Sequence, residues 1–184
     1  MRVCPAKRTD RQTDRWDLII AHPPCTYLTN VATKHHSLRI TPIKKINERT
    51  LERIDAMAFF MRFVFADCDR IAIENPIGVM NTCYRQPDQT IHPYMFAESE
   101  GDLENYVTKA TCFWLKGLLP LKRTNNLPKP DNAMLFGVRP NGKAYHWAEV
   151  LCRAGGAPKA RSKTFNGIAK AMAEQWGRED SMRW

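Results

Sequence analysis

The chain has 184 residues, of which 43% are hydrophobic and 26% charged, a balance that supports a packed core and excludes a disordered or fibrous polymer. Its formal charge of +9 favours a polyanionic partner, because neutralised phosphates release counterions, but charge alone does not name the acid. The longest apolar run, Ala56 to Ala66, is too short to cross a bilayer and is interrupted by Arg62, and Met1-Arg2-Val3-Cys4-Pro5 lacks the apolar core of a signal peptide, so a cytoplasmic location without membrane contact is expected.

In chain order, residues 1–15 are polar and without periodicity, with five positive and two negative side chains between Arg2 and Arg15. They read as a basic N-terminal arm ahead of a single α/β domain spanning 16–184. A strand is predicted from Trp16 to Ala21, and His22-Pro23-Pro24-Cys25 follows it directly. The loop from His22 to about Ile40 is long for a strand-to-helix connection and carries Thr26, Tyr27, Thr29, Asn30, His35 and His36, all able to reach a polar ligand. A helix is predicted from Thr41-Pro42, with Thr41 as N-cap and Pro42 in the first turn. Within it Leu51, Ile54, Ala58, Met61 and Phe65 recur at three- and four-residue steps as the core-facing stripe, Met57, Phe59, Phe60 and Val64 widen it toward full burial, and Glu48, Arg49, Glu52 and Arg53 take the other side.

The next strand is predicted from Arg70 to Ile73, ending at Glu74-Asn75-Pro76. The segment Lys109 to Lys116 is β-like and ends at Gly117. A Pro- and Asn-rich stretch from Leu119 to about Asp131 reads as surface loop. Lys159, Arg161 and Lys163 precede a helix over Gly167 to Trp176, with Ile168, Met172 and Trp176 on one stripe. Six cysteines (Cys4, Cys25, Cys68, Cys83, Cys112, Cys152) are scattered without a Cys-x-x-Cys pair, which points to free thiols and against a disulfide framework or a metal centre.

Two of these motifs carry chemistry. Strand–helix–strand with parallel strands brings two strand carboxyl ends side by side, the place where open α/β sheets bind ligands. A thiol, Cys25, and a carboxylate, Glu74, therefore converge from distant positions, and the rigid Pro23-Pro24 pair fixes the backbone direction that aims Cys25.

In order and type, these residues resemble the Pro-Cys and Glu-Asn motifs of DNA cytosine-C5 methyltransferases, most closely short phage and prophage members. The resemblance extends through Lys109-Ala110-Thr111-Cys112-Phe113-Trp114-Leu115 and Thr164-Phe165-Asn166-Gly167-Ile168-Ala169, and so covers most of the chain from Trp16 to Trp176. It implies a Rossmann-like methyltransferase sheet, DNA as partner, S-adenosylmethionine as methyl donor and a bacterial host cell. Cys25 would be the nucleophile that adds to carbon 6 of a flipped cytosine, and Glu74 would offset charge at N3 and the exocyclic amine. Pro24 and Asn75 would shape the base pocket, Lys109 and Thr111 stand where the family has an Arg-x-Arg element, and Asn166 would lie in the turn beside the cofactor.

The family's cofactor site begins with a strand and a Gly-containing turn, followed by an acidic residue at the end of a second strand. Residues 1–15 contain no glycine and no apolar strand. The sheet is thus expected to be truncated at its N-terminal half, and to be completed by a homodimer or by a partner carrying the missing half. Three functions stay open: a methyltransferase completed in this way, a catalytically silent relative that binds nucleic acid, and a phage anti-defence interaction protein.

Overall fold

Strand β1 (Ile19–Ala21) is the apolar end of the predicted first strand; in the computed structural model, which describes residues 16–30, 35–145 and 164–177, Trp16 to Leu18 precede it as irregular chain. The basic arm and the Lys159, Arg161 and Lys163 cluster lie outside the described residues. β1 pairs in parallel with β2 (Ile71–Asn75), and β2 pairs antiparallel with β4 (Thr111–Lys116). With β3 (Gln89–Ile91) they form a four-stranded mixed sheet of order β1-β2-β4-β3, an α/β arrangement compatible with a Rossmann-like sheet. The central strands β2 and β4 are buried along almost their whole length, which is why both read as near-continuous apolar runs. Among the described residues no strand pairs with the outer side of β1.

The chain passes from β1 to β2 through α1 (Ile43–Val64), the crossover that the parallel pair requires. Two features of α1 differ from expectation. Pro42, rather than Thr41, occupies the N-cap position, with no side-chain capping bond. The inward face is also turned. Leu51 (64%), Ile54 (55%) and Phe65 (78%) are exposed, and of the expected stripe and its widening it is Met57, Phe60, Met61 and Val64 that pack in the core.

The cause is an aromatic anchor. Phe60, fully buried, meets the Trp114 ring edge-to-face at 5.2 Å and 88°, and Tyr84 flanks it at 6.2 Å. Ala56, Met57 and Val64 share that face, so Arg53 and Arg49, one and two turns before Ala56, are half-buried instead of solvated. Their long apolar stems permit this. Around Phe60 the core gathers Ile19, Ala21, Leu28, Ile71, Ile73, Cys112 and Trp114, together with Met80 of the short helix α2 (Met80–Cys83). Burying a side chain of this size stabilises the fold by about 1.5–3 kcal/mol. The Trp114 indole N–H is not wasted, since it donates to the Arg85 carbonyl at 2.8 Å.

Contacts sort the described chain into two compact units. α1, β1, β2, β4 and β3 up to Thr90 belong to the first. The second comprises Ile91–Ala110 and the described residues from Leu121 onward. It holds a 3₁₀ turn (Pro93–Phe96), the short helix α3 (Asn132–Phe136), capped by the Asp131 carboxylate on the Ala133 N–H, and α4 (Asn166–Trp176). Ile168, Met172 and Trp176 of α4 are buried, as their spacing predicts. Gly167 lets the start of α4 approach the 3₁₀ turn, because a Cβ there would fall on the Phe96 carbonyl oxygen. No helix among the described residues is long and apolar enough to cross a membrane.

Candidate active site

The register of β1 and β2 decides which loop residues meet. Ala21 pairs with Ile73, so the next residues of the parallel pair come together, and His22 Nδ1 lies 3.0 Å from Glu74 Oε2. One step further, the buried Asn75 amide donates from Nδ2 to the Pro23 carbonyl at 3.0 Å. The two motifs are therefore tied at two successive positions. Asn75 is only 1% exposed, so its side chain acts on the backbone that leads to Cys25. Removing a donor from a buried bond of this kind costs about 1–3 kcal/mol.

Cys25 is half-buried, and its carbonyl accepts the N–H groups of Leu28 (3.0 Å) and Thr29 (3.1 Å), which closes a turn just after the thiol. Leu28 plugs that turn into the core. The chain beyond it is stitched to the loop after Pro76: Val79 donates to the Leu28 carbonyl at 2.8 Å, Asn30 donates to the Ile77 carbonyl at 3.4 Å, and Thr29 bridges to Gly78. Glycine is needed at 78, since a Cβ would fall on the Leu28 carbonyl oxygen. The two strand-end loops thus form one frame that carries Pro24, Cys25 and Glu74.

Side chains alternate across β2. Ile71 and Ile73 point into the α1 core, and Glu74, between Ile73 and Asn75, points to the opposite face. Its side chain keeps 20% of its surface exposed and can reach a ligand while it holds His22. A carboxyl bonded to an imidazole can hold a proton or deliver one at Oε2. Thiol, carboxyl and imidazole together supply a nucleophile and a proton donor.

The other expected site residues lie as follows. Thr111 opens β4, one residue before Cys112, which pairs with Asn75, and it is 4% exposed. Lys109 belongs to the second unit, where its ammonium lies over the Phe165 ring at 5.3 Å. Asn166 begins α4 in that unit, with Nδ2 3.5 Å from Glu104 Oε2, and lines a cavity of about 530 Å³ together with Glu98, Asp102 and Lys170.

These residues do not fit S-adenosylmethionine as the resemblance would have it bound. Among the described residues no strand leads into a glycine turn open to a ligand, the approach to Gly78 being filled by Leu28. The acidic residue at a strand end, Glu74, is engaged by His22. Three functional candidates escaped the sequence reading. His22 was legible in principle, because it and Glu74 stand at equal offsets from paired strands. Arg49 and Arg53 were read as solvated and instead contact the loop after Cys25. No family model, no curated protein and no solved structure matches the chain.

Proposed function

We propose that the chain is a DNA cytosine-C5 methyltransferase-like protein in which Cys25 attacks a flipped cytosine. The observation that carries this reading is the double tie between the strand ends, His22 to Glu74 and Asn75 to Pro23, which gathers the thiol-bearing and carboxyl-bearing loops into one frame. Carbon 5 of cytosine is a poor nucleophile until something adds at carbon 6. The Cys25 thiolate forms the carbon 6–sulfur bond, and the displaced electron pair moves toward N3. Glu74 stabilises that charge by donating a hydrogen bond or a proton, with His22 beside it to hold the proton. Carbon 5 then takes up an electrophile, loses its own proton, and expels the thiolate to restore the ring. The methyl donor supplies that electrophile in the family; since the described residues do not fit it, the chemistry assigned to this chain ends at activation of carbon 5.

The test follows from that endpoint. In D₂O, activation without a methyl donor exchanges the hydrogen on carbon 5 for deuterium, which mass spectrometry of the digested duplex detects. Exchange is expected with the native chain and absent with Cys25→Ser, and Glu74→Gln should slow it about 10²-fold or more, the usual contribution of a positioned acid. A chain that binds duplex DNA without exchange overturns the nucleophile and leaves the second reading, a silent relative that binds nucleic acid, which the poor fit to the donor favours. A chain that does neither overturns both.

A further inference from the structure

Arg49 and Arg53 stand one turn apart on α1, an arrangement in which like charges destabilise a helix. Neither meets a carboxylate among the described residues. Both turn instead to Tyr27, two residues past Cys25: the Arg49 guanidinium lies 5.2 Å from the Tyr27 ring centroid, and Arg53 Nε donates to the Tyr27 carbonyl at 2.9 Å. These contacts leave Arg49 Nε and Arg53 Nη2 buried without an acceptor. His36 adds a third nitrogen. Its Nδ1 lies 3.5 Å from Thr50 Oγ1 on the same helix, and its Nε2 is likewise buried and unpartnered. Burial first, then the positive charges of Arg53, Arg49 and His35, lower the pKa of His36.

Buried polar groups are nearly always satisfied, and an orphaned one is destabilising. Three on one helix–loop junction, two of them on like-charged neighbours, call for an acceptor from outside the described residues. We propose that Arg49, Arg53 and His36 form a receptor for a phosphate oxyanion beside the loop that carries Cys25. A tetrahedral oxyanion with several acceptor oxygens suits donors arriving from three side chains, and the guanidinium fork matches it better than an ammonium does. That the phosphate belongs to a nucleic-acid backbone rests on the function proposed above; that the cluster takes an oxyanion rests on its own geometry.

The experiment measures duplex DNA binding by fluorescence anisotropy across a salt series, for the full native chain and for Arg49→Gln, Arg49→Lys and Arg62→Gln. Arg49→Gln should weaken binding about tenfold and flatten the plot of log affinity against log salt by about one unit, the signature of one lost phosphate contact. Arg49→Lys should keep most of the salt slope, and it secures the comparison if the Gln variant does not fold. Arg62, exposed in the last turn of α1, serves as the control and should change nothing. A parallel melt with inorganic phosphate separates the sources. A rise in Tm that Arg49→Gln abolishes, with DNA binding unaltered, supports the receptor and assigns it to free phosphate. A salt slope and a phosphate response that both survive Arg49→Gln overturn the proposal. Exchange at carbon 5 with an unchanged slope in Arg49→Gln and no phosphate response overturns the receptor alone, and a flattened slope in a chain that never exchanges overturns the Cys25 reading alone.

Discussion

The two halves of α1 follow one spacing toward opposite ends. From Ala56 to Val64 the inward positions are apolar and close on Phe60, which is wholly enclosed against Trp114 and Tyr84. From Arg49 to Arg53 the same face carries two guanidinium groups whose donors are only partly used. The first half is held by burial and complementarity. The second holds charge that no carboxylate among the described residues neutralises. A helix anchored firmly at one end can carry an unfavourable charge pair at the other, and departures from local consistency are expected where a protein binds something.

Mutations should separate the halves by the size of their effect. Phe60→Ala deletes the anchor and should cost about 3–5 kcal/mol in urea denaturation. A loss below about 1 kcal/mol would mean that α1 is fixed elsewhere, because buried Phe truncations fall well above that range. Next comes Asn75→Ala, outside α1 but on the frame it supports. It should cost about 1–3 kcal/mol through the orphaned Pro23 carbonyl. Exchange at carbon 5 should fall further than that loss of stability explains, by up to about 10²-fold, since a displacement of the nucleophile of about 1 Å is enough. An Asn75→Ala chain of native exchange rate would show that the tie to Pro23 does not aim Cys25. In contrast, Arg49→Gln should leave stability within about 0.5 kcal/mol, because it relieves repulsion as it loses the ring contact.

A pH series probes an arginine paired with a carboxylate, Arg85, against these two, which have no carboxylate partner among the described residues. Burial would raise the Asp88 carboxyl, but hydrogen bonds from Arg85 (2.7 Å) and from the Leu115 N–H (2.6 Å) prevail and hold it below the usual carboxylate value. A carboxylate held low when folded contributes stability above its unfolded value, about 3.9, and loses it as pH falls through the folded one. Stability should therefore decline below about pH 4, and Asp88→Asn should flatten that decline. The side chain is 35% exposed, so the effect is smaller than that of Asn75→Ala.

Local pattern made some of this legible. The meeting of the two strand ends follows from a parallel crossover and needs no coordinates. The pairing of His22 with Glu74 needs more, since it depends on register, and a slip of one residue would put the side chains on opposite faces. β3 and α2 are three and four residues long and carry no periodic signal to read. The α4 stripe was visible because Ile168, Met172 and Trp176 have no rival pattern. On α1 the count of apolar residues gave a stripe too wide to choose between the Phe60 side and the Leu51–Ile54 side, because the partner that decides the matter, Trp114, lies far along the chain and leaves no trace in local spacing.

That ambiguity leads to the smallest and most discriminating prediction. If Leu51 and Ile54 faced the core, truncating each to Ala would cost about 2–5 kcal/mol. They are 64% and 55% exposed, so each change should stay within about 0.5 kcal/mol, with Ala at 54 slightly favoured by its higher helix propensity. The double variant in urea denaturation tests the turned helix directly. A loss of about 2 kcal/mol or more would mean that this face is covered in solution, since exposed truncations do not cost that much. The dependence of the midpoint on protein concentration would then tell a second copy from another part of the same chain, because only association links stability to concentration.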